Sequence, residues 1–281
     1  CAHFHRLPAS VWQQRLASGK VHWWQGEPID EQTPYRAGKR VCYYREVAQE
    51  PVIAEPHQIV LQHEHLLIAC KPHGLPVIPG GEFVNECLLE RLRQQTGLHE
   101  LVPVHRLDKD TAGLVVFATQ AATRARYSAL FAEGRIHKRY RAVAEIPADW
   151  REGQQWQVRN RLEKANPRFV MQVVPGEANA HSSLRLLARQ QQLGLFELEP
   201  HTGKTHQLRL HMSGIGAPLL ADPYYPTLLP KQPHDPHALP LQLLAYALGF
   251  IDPVLNTPIA VQTTRQLTGW PAAWPATGAT F

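Results

Sequence analysis

The sequence predicts an α+β fold built on a mixed, largely antiparallel sheet with flanking helices. Short apolar stretches bounded by turn residues recur along most of the 281 residues, which is typical of strands joined by short connections. A smaller number of segments place apolar residues at helical spacing. Since 44% of the residues are hydrophobic, the chain can bury one sizeable core and carry a small additional element.

Periodicity and flanking residues place the individual elements. Leu88, Leu89 and Leu92 fall on one helical face, and Thr205 and Gly214 are suitable residues to begin and end a helix. The predicted helices span residues 11–18, 86–96, 119–133 and 205–213. The predicted strands of the larger part span residues 59–61, 65–70, 114–118, 139–146, 156–158, 168–174, 182–188, 195–199, 243–251 and 259–263.

Residues 1–50 are predicted to form a separate N-terminal element, with two turn-and-strand segments after its helix. Basic and aromatic residues interleave there, as a surface for single-stranded or hairpin RNA requires. A small β-rich cap that only packs on the core is the alternative. Pro51 and Pro56 resist both helix and central strand, so we expect a linker at 51–56 and the main domain at 57–281.

The positive charge is concentrated in one segment. The whole chain has a formal net charge of +5, and residues 104–141 alone contain eight basic and three acidic residues. A cluster of this kind suits a phosphate-rich partner such as RNA. A solvated basic face without a partner is the alternative.

Cysteine and histidine usage excludes several classes of protein. The four cysteines are widely spaced and include no C-x-x-C pair, which is typical of reduced thiols in a cytoplasmic protein. The sixteen histidines include no H-E-x-x-H spacing, so we expect no metal and no other cofactor. No apolar run is long enough to span a membrane, and no signal peptide is recognisable. A monomer is the default expectation, and Cys1 in place of methionine predicts further residues upstream.

The segment from Val104 to Leu114 carries the strongest functional signal. Asp108 follows a basic and an apolar residue and precedes the apolar run 114–118, which is predicted to be a buried strand. A carboxylate at the start of a core strand is costly to desolvate, and such positions are often functional. The ordinary alternative is a turn-forming aspartate.

This segment, H-R-L-D followed by D-T-x-G-L, resembles the signature loop of the RluA-type pseudouridine synthases, which isomerise uridine within RNA. Four further segments are similar to motifs of that family in the same order along the chain, at 71–77, 138–142, 200–211 and 216–225. Lys204 and Ala221 depart from the usual arginine and glycine. The order of glycine, basic and tyrosine residues in 1–50 is similar to a degenerate S4-type RNA-binding element.

The resemblance implies three catalytic residues. Asp108 would be the nucleophile, and Asp110 ranks lower because it does not follow the Arg-Leu pair directly. Arg209 would hold Asp108 through a charge-assisted bond of roughly 2.8 Å. Tyr140 would stack on the uracil, and its hydroxyl would assist proton movement at C5. Lys71 would be structural.

The resemblance also implies contacts to RNA. The target uridine must leave its helical stack to be reached. Arg106 would enter the RNA and occupy the vacated space. The expected phosphate contacts are Lys109, Lys138, Arg139 and Lys204.

The sequence therefore predicts a cofactor-free RNA pseudouridine synthase that acts on structured ribosomal or transfer RNA. A catalytically silent RNA-binding protein on the same fold is the first alternative, and retention of Asp108, Tyr140 and Arg209 argues against it. A metal-dependent hydrolase built on the histidines is the second.

Overall fold

The computed structural model describes residues 8–44, 46–47, 49–230, 235, 237–271 and 273–274. The chain forms two compact units, Cys1–Gln49 and Glu50–Phe281. Within the described ranges, every helix is too short or too polar to cross a lipid bilayer.

The described part of the first unit consists of one helix and a two-stranded antiparallel sheet. Helix α1 spans Ala9–Ala17 and precedes strands β1 (Val21–Trp23) and β2 (Val41–Tyr43). Arg15 of α1 is buried, and its guanidinium lies over the rings of Trp12 and Tyr43. Such stacking lets the arginine pack its planar group against aromatic surface.

The described part of the second unit forms an eleven-stranded sheet with three flanking helices. The sheet order is β3-β4-β6-β12-β7-β11-β10-β8-β9, with β5 paired to β6 and β13 paired to β12. The strands are β3 (Gln58–Gln62), β4 (Leu66–Lys71), β5 (Val102–Pro103), β6 (Ala112–Ala118), β7 (His137–Glu145), β8 (Gln155–Lys164), β9 (Met171–Val174), β10 (Ala180–Gln190), β11 (Leu193–Pro200), β12 (Leu243–Ile251) and β13 (Pro258–Gln262). The helices are α2 (Leu88–Thr96), α3 (Arg124–Ala132) and α4 (Gln207–Gly214).

The pairing confirms the predicted mixed, largely antiparallel sheet. Strands β6 and β12 are parallel, whereas the other pairs among the described strands are antiparallel. Where these two strands pair, Gly113 has φ +117°, and a Cβ there would lie 2.2 Å from the Ala245 carbonyl oxygen. Only glycine allows β12 to approach β6 directly after the loop that carries Asp108.

Each of the three helices of the second unit packs its apolar side against the eleven-stranded sheet. Leu92 of α2 packs with Leu67 and Phe117 on one face of β4 and β6. On the other face Tyr127 of α3 belongs to the cluster that contains Ile68. Helix α4 contributes to a third cluster, formed with β10 and β11, through Leu208 and Met212. Burial of these side chains is the main force that seats the helices.

Several boundaries differ from the predictions. Helix α3 starts at Arg124 rather than 119, and β9 starts at Met171 rather than 168. Helix α4 is capped by His206 in a left-handed conformation rather than by Thr205. Residues 51–56, expected as a linker, lie in the second unit. Ile53 is buried there, and its backbone N–H donates to Glu86.

Candidate active site

Asp108 lies in the loop between β5 and β6. Its side chain is 31% exposed, so the carboxylate is accessible from solvent. The backbone N–H of Thr111 donates to the Asp108 carbonyl at 3.1 Å, which closes a turn just before β6. The parallel approach of β12 then fixes where this turn lies in the sheet.

His105 anchors the first half of this loop. Its Nε2 accepts the backbone N–H of Val116 at 3.0 Å, and its ring stacks on Phe131 with centroids 4.2 Å apart. Burial, reinforced by the positive charge of Lys138, lowers the pKa of His105 to about 3. The ring is therefore neutral at physiological pH, as an accepting Nε2 requires.

Lys71 and His73 anchor the second half through the backbone. The Lys71 ammonium is fully buried and donates to the carbonyl of Lys109 at 2.8 Å. Burial lowers the pKa of Lys71 to about 7, although Asp110 and Asp108 oppose the shift. His73 lies 2.8 Å from the carbonyl of Asp110 through Nδ1, and burial lowers its pKa to about 4. The structural role expected for Lys71 fits this position.

Arg209 of α4 joins two carboxylates of different character. Its Nε donates to Asp222 Oδ2 at 2.8 Å and its Nη2 to Asp222 Oδ1 at 2.5 Å. Its Nη1 lies 3.8 Å from Asp108 Oδ2. Burial opposes the charge of Arg209, yet the bonds and charge of Asp222 raise its pKa. The expected short bond from Arg209 to Asp108 is thus a longer contact, because the guanidinium fork is occupied by Asp222.

His206 is a second group beside Asp108 that sequence reasoning missed. Its Nε2 lies 3.8 Å from Asp108 Oδ2, and its Nδ1 lies 2.9 Å from the Tyr225 hydroxyl. Burial lowers the pKa of His206, while the Asp108 charge opposes that shift. The left-handed backbone of His206, with φ +55°, turns the ring toward Asp108 at the start of α4.

Tyr140 completes a cleft of about 400 Å³. Burial, with the nearby charge of Asp108, raises the pKa of its hydroxyl, so the phenol stays protonated. Lys138, two residues earlier on β7, lies on the same side of the strand. The predicted residues that line this cleft are Arg106, Asp108, Lys138, Tyr140, Lys204 and Arg209.

The structure does not bring Arg139 into the cleft. Side chains alternate between the two faces of a strand, so Arg139 and Arg141 lie opposite Lys138 and Tyr140. Arg139 instead hydrogen bonds to Tyr246 on the far face of the sheet. Arg139 therefore lies outside this cleft, and its contact with a phosphate stays a prediction.

Lys109 lies in an adjoining hollow of about 390 Å³ that also includes Asp108 and Tyr224. Its ammonium lies 3.7 Å from Asp110 Oδ1 and 5.7 Å from the Phe83 ring centroid. The ring of Tyr224 covers the Arg209 guanidinium at 4.5 Å. Asp108 and Arg106 therefore form a wall shared by two concave surfaces.

The missed residues Asp222, Tyr224, Tyr225 and His206 fall inside the segments 200–211 and 216–225, whose similarity was already visible in the sequence. The order of these two segments along the chain, which follows the order of the family motifs, was the signal that could have found them.

Among the residues that the structure describes, no group of three or more His, Cys, Asp or Glu side chains is placed to hold a metal ion.

Comparison with known sequences places the chain in a family. The sequence model described as RNA pseudouridylate synthase matches residues 65–214. An uncharacterised RNA pseudouridine synthase of Synechocystis is 32% identical over 264 residues, which cover 92% of this chain and 88% of the relative. The ribosomal large subunit pseudouridine synthase D of Zymomonas mobilis is 34% identical over 71% of this chain and 66% of its own.

A solved structure agrees on the fold. The human protein RNA Pseudouridylate Synthase Domain Containing 1 has a TM-score of 0.61 over 77% of this chain and 86% of its own, at 20% sequence identity. The chain therefore belongs to the RNA pseudouridylate synthase family. It is an RNA pseudouridine synthase, an isomerase, as its resemblance to the RluA-type enzymes predicted.

Proposed function

We propose that this enzyme isomerises specific uridines in structured RNA with Asp108 as the nucleophile. The observation that carries the proposal is the accessible carboxylate of Asp108, which lies within 3.8 Å of both Arg209 and His206 in the same cleft as Tyr140. In the net reaction the N1–C1′ bond of uridine breaks and a C5–C1′ bond forms. The proton on C5 is lost and N1 gains one, so no oxidant or reductant is needed.

Asp108 has the properties that a carboxylate nucleophile requires. Its carboxylate lies 3.8 Å from the Arg209 guanidinium, and its side chain is 31% exposed, so a substrate can reach it. The positive charge of Arg209 keeps the carboxylate available and stabilises it when it is displaced from the substrate.

Tyr140 supports the second half of the reaction. Its ring offers a stacking surface for the detached uracil, and its protonated hydroxyl lies in the cleft where the proton of C5 must move. The uridine reaches this depth only after it is flipped from its stack. Arg106 is exposed at the cleft, which supports a role in filling the vacated space.

Positive side chains around the cleft support contacts with RNA phosphates. Lys204 is exposed at the cleft, and Lys109 is exposed in the adjoining hollow. Lys138 is partly buried, and burial lowers its pKa. We therefore expect Lys138 to contribute less to the salt dependence of binding than Lys204 does.

We further propose that the first unit contacts RNA. Trp24 is 64% exposed and Tyr35 is 89% exposed, and the Arg40 guanidinium lies over the Trp24 ring. Exposed rings accompanied by arginine are suited to unpaired bases. The S4-type resemblance agrees with such a role.

Ribosomal RNA is the preferred substrate class, because the Zymomonas relative is named as a ribosomal enzyme. Transfer RNA is the other candidate.

The described cysteines Cys42, Cys70 and Cys87 carry free thiols, in keeping with action in the cytoplasm. We further propose that the enzyme is a monomer and that it uses no cofactor or metal.

Pseudouridine mapping of total RNA tests the function. Cells that lack the protein should lose pseudouridine at one site or a few sites, and the wild-type gene should restore them. The Asp108→Asn gene should not restore them. Restoration by Asp108→Asn would exclude Asp108 as nucleophile, and an unchanged map would favour the silent RNA-binding protein.

A further inference from the structure

Two histidines form an ordered stack at the rim of the cleft. The rings of His181 and His201 lie face to face, with centroids 4.3 Å apart and an angle of 30° between their planes. His201 is exposed and lines the cleft, whereas His181 is half-buried. Neither ring belongs to a hydrophobic core cluster among the described residues.

Hydrogen bonds hold both rings in place. His201 Nε2 lies 2.7 Å from the Ser183 hydroxyl, and His181 Nε2 lies 2.9 Å from Gln157 Oε1. Gln157 Nε2 in turn donates to the Ser183 hydroxyl at 2.9 Å. The His201 backbone N–H donates to the His181 carbonyl, which ties the two chain segments together. An exposed stack fixed in this way loses little entropy when it receives a ligand.

We propose that the His181–His201 stack is a platform for a nucleobase of the RNA next to the flipped uridine, an inference that rests on the proposed function. His201, Lys204 and Asp108 line one continuous cleft, so RNA with its uridine at Asp108 passes along this rim. Flat aromatic rings accept any base through stacking.

Charges around the stack favour a base there rather than a phosphate. Exposed Arg159 lies opposite His181 in the sheet register, and exposed Lys204 follows His201 by three residues. Glu199 lies opposite Ser183 in the register and would repel a phosphate at that point. The flanking cations attract the backbone on both sides of the base.

Steady-state kinetics test the platform on an RNA stem–loop that contains the uridine identified by mapping. Loss of one stacked base should raise KM of the His201→Ala enzyme roughly 5- to 100-fold and leave kcat within about twofold. His201→Phe keeps an aromatic face, so its KM should stay within about threefold of wild type. His99→Ala removes an exposed histidine that does not line the cleft and is the matched control.

A fluorescent base locates the contact directly. With 2-aminopurine at each nucleotide flanking the target in turn, one position should be quenched by the Asp108→Asn protein and by its His201→Phe derivative. The His201→Ala derivative should not quench it. The proposed platform is wrong if two results are found together: the His201→Ala enzyme has the same KM as the His99→Ala enzyme, and the Asp108→Asn protein that also carries His201→Ala quenches every position as the Asp108→Asn protein does. Failure of the wild-type enzyme to isomerise any RNA would instead contradict the proposed function.

Discussion

The two aspartates that face Arg209 are held in opposite ways. Asp222 is held by its carboxylate: the side chain is fully buried, accepts both arms of the guanidinium and also accepts the backbone N–H of Tyr224. Asp108 is held by its backbone, and its carboxylate is 31% exposed at 3.8 Å from Arg209. The fold thus separates a buried structural carboxylate from an accessible one, because it holds Asp222 by its side chain and Asp108 by its backbone.

The consequence for chemistry is direct. Both oxygens of Asp222 accept hydrogen bonds, so this carboxylate cannot attack a substrate without breaking at least one of them. Asp222 fixes Arg209, and Arg209 then offers its remaining nitrogen, Nη1, to Asp108. The Asp108 carboxylate keeps its lone pairs largely available.

Asp108→Asn should have the largest effect of the changes considered, and the effect should be on catalysis. We expect kcat to fall by roughly 1000-fold or more, as is found when a nucleophile is removed. The free energy of unfolding should change by less than about 1 kcal/mol, because the carboxylate is partly exposed. Asp110→Asn is the matched control in the same loop, and it should retain most of the activity. Equal losses in the two variants would assign the effect to the loop rather than to Asp108.

Asp222→Asn should mainly lower the stability of the fold. It leaves the buried Arg209 guanidinium without its bidentate partner, so urea unfolding should report a loss of about 3–5 kcal/mol. Activity should fall as well, because Arg209 loses its fixed position. A variant as stable as wild type would show that Asp222 is not the residue that holds Arg209.

Tyr140→Phe separates the ring from the hydroxyl. The stacking surface is kept, so KM should change little, whereas loss of a proton-transferring hydroxyl should lower kcat by about 100-fold. An unchanged kcat in steady-state assays would limit Tyr140 to stacking.

Acid should weaken the backbone anchors of the Asp108 loop. The pKa values of His105 and His73 are lowered to about 3 and about 4 from 6.5, so the unfolded chain binds more protons than the folded one between pH 6.5 and 4. Stability contributed by the neutral rings is therefore present above pH 6.5 and is lost as the pH falls toward 4. We expect a cost on the order of 3 kcal/mol per histidine over this range.

Urea unfolding at a series of pH values measures this loss. His73→Gln retains a side chain that can donate to the Asp110 carbonyl and does not titrate, so its stability should depend less steeply on pH. An equally steep dependence in that variant would remove His73 from the explanation.

Sequence reasoning predicted the fold class because apolar periodicity is local and survives any tertiary arrangement. It also predicted the cleft residues Asp108, Tyr140 and Arg209, since each lies in a segment similar to a family motif. It did not separate Lys138 from Arg139 and Arg141, because strand alternation, which places Lys138 on one face and the two arginines on the other, is visible only once the strand is known. It failed at Thr205, because a left-handed His206 caps α4 instead.

The sequence by itself determined the family, the sheet and the placement of Asp108 near Arg209, since these depend on local pattern and motif order. Only the tertiary structure decided that Arg209 forms its two short hydrogen bonds with Asp222 rather than with Asp108. Asp222 is thirteen residues from Arg209 and Asp108 is about a hundred away, and no local rule ranks these contacts. The outcome depends on how the paired strands β6 and β12, helix α4 and the segment 216–225 come together. Asp222 is the carboxylate that this arrangement buries, and the buried pair forms the tighter bond.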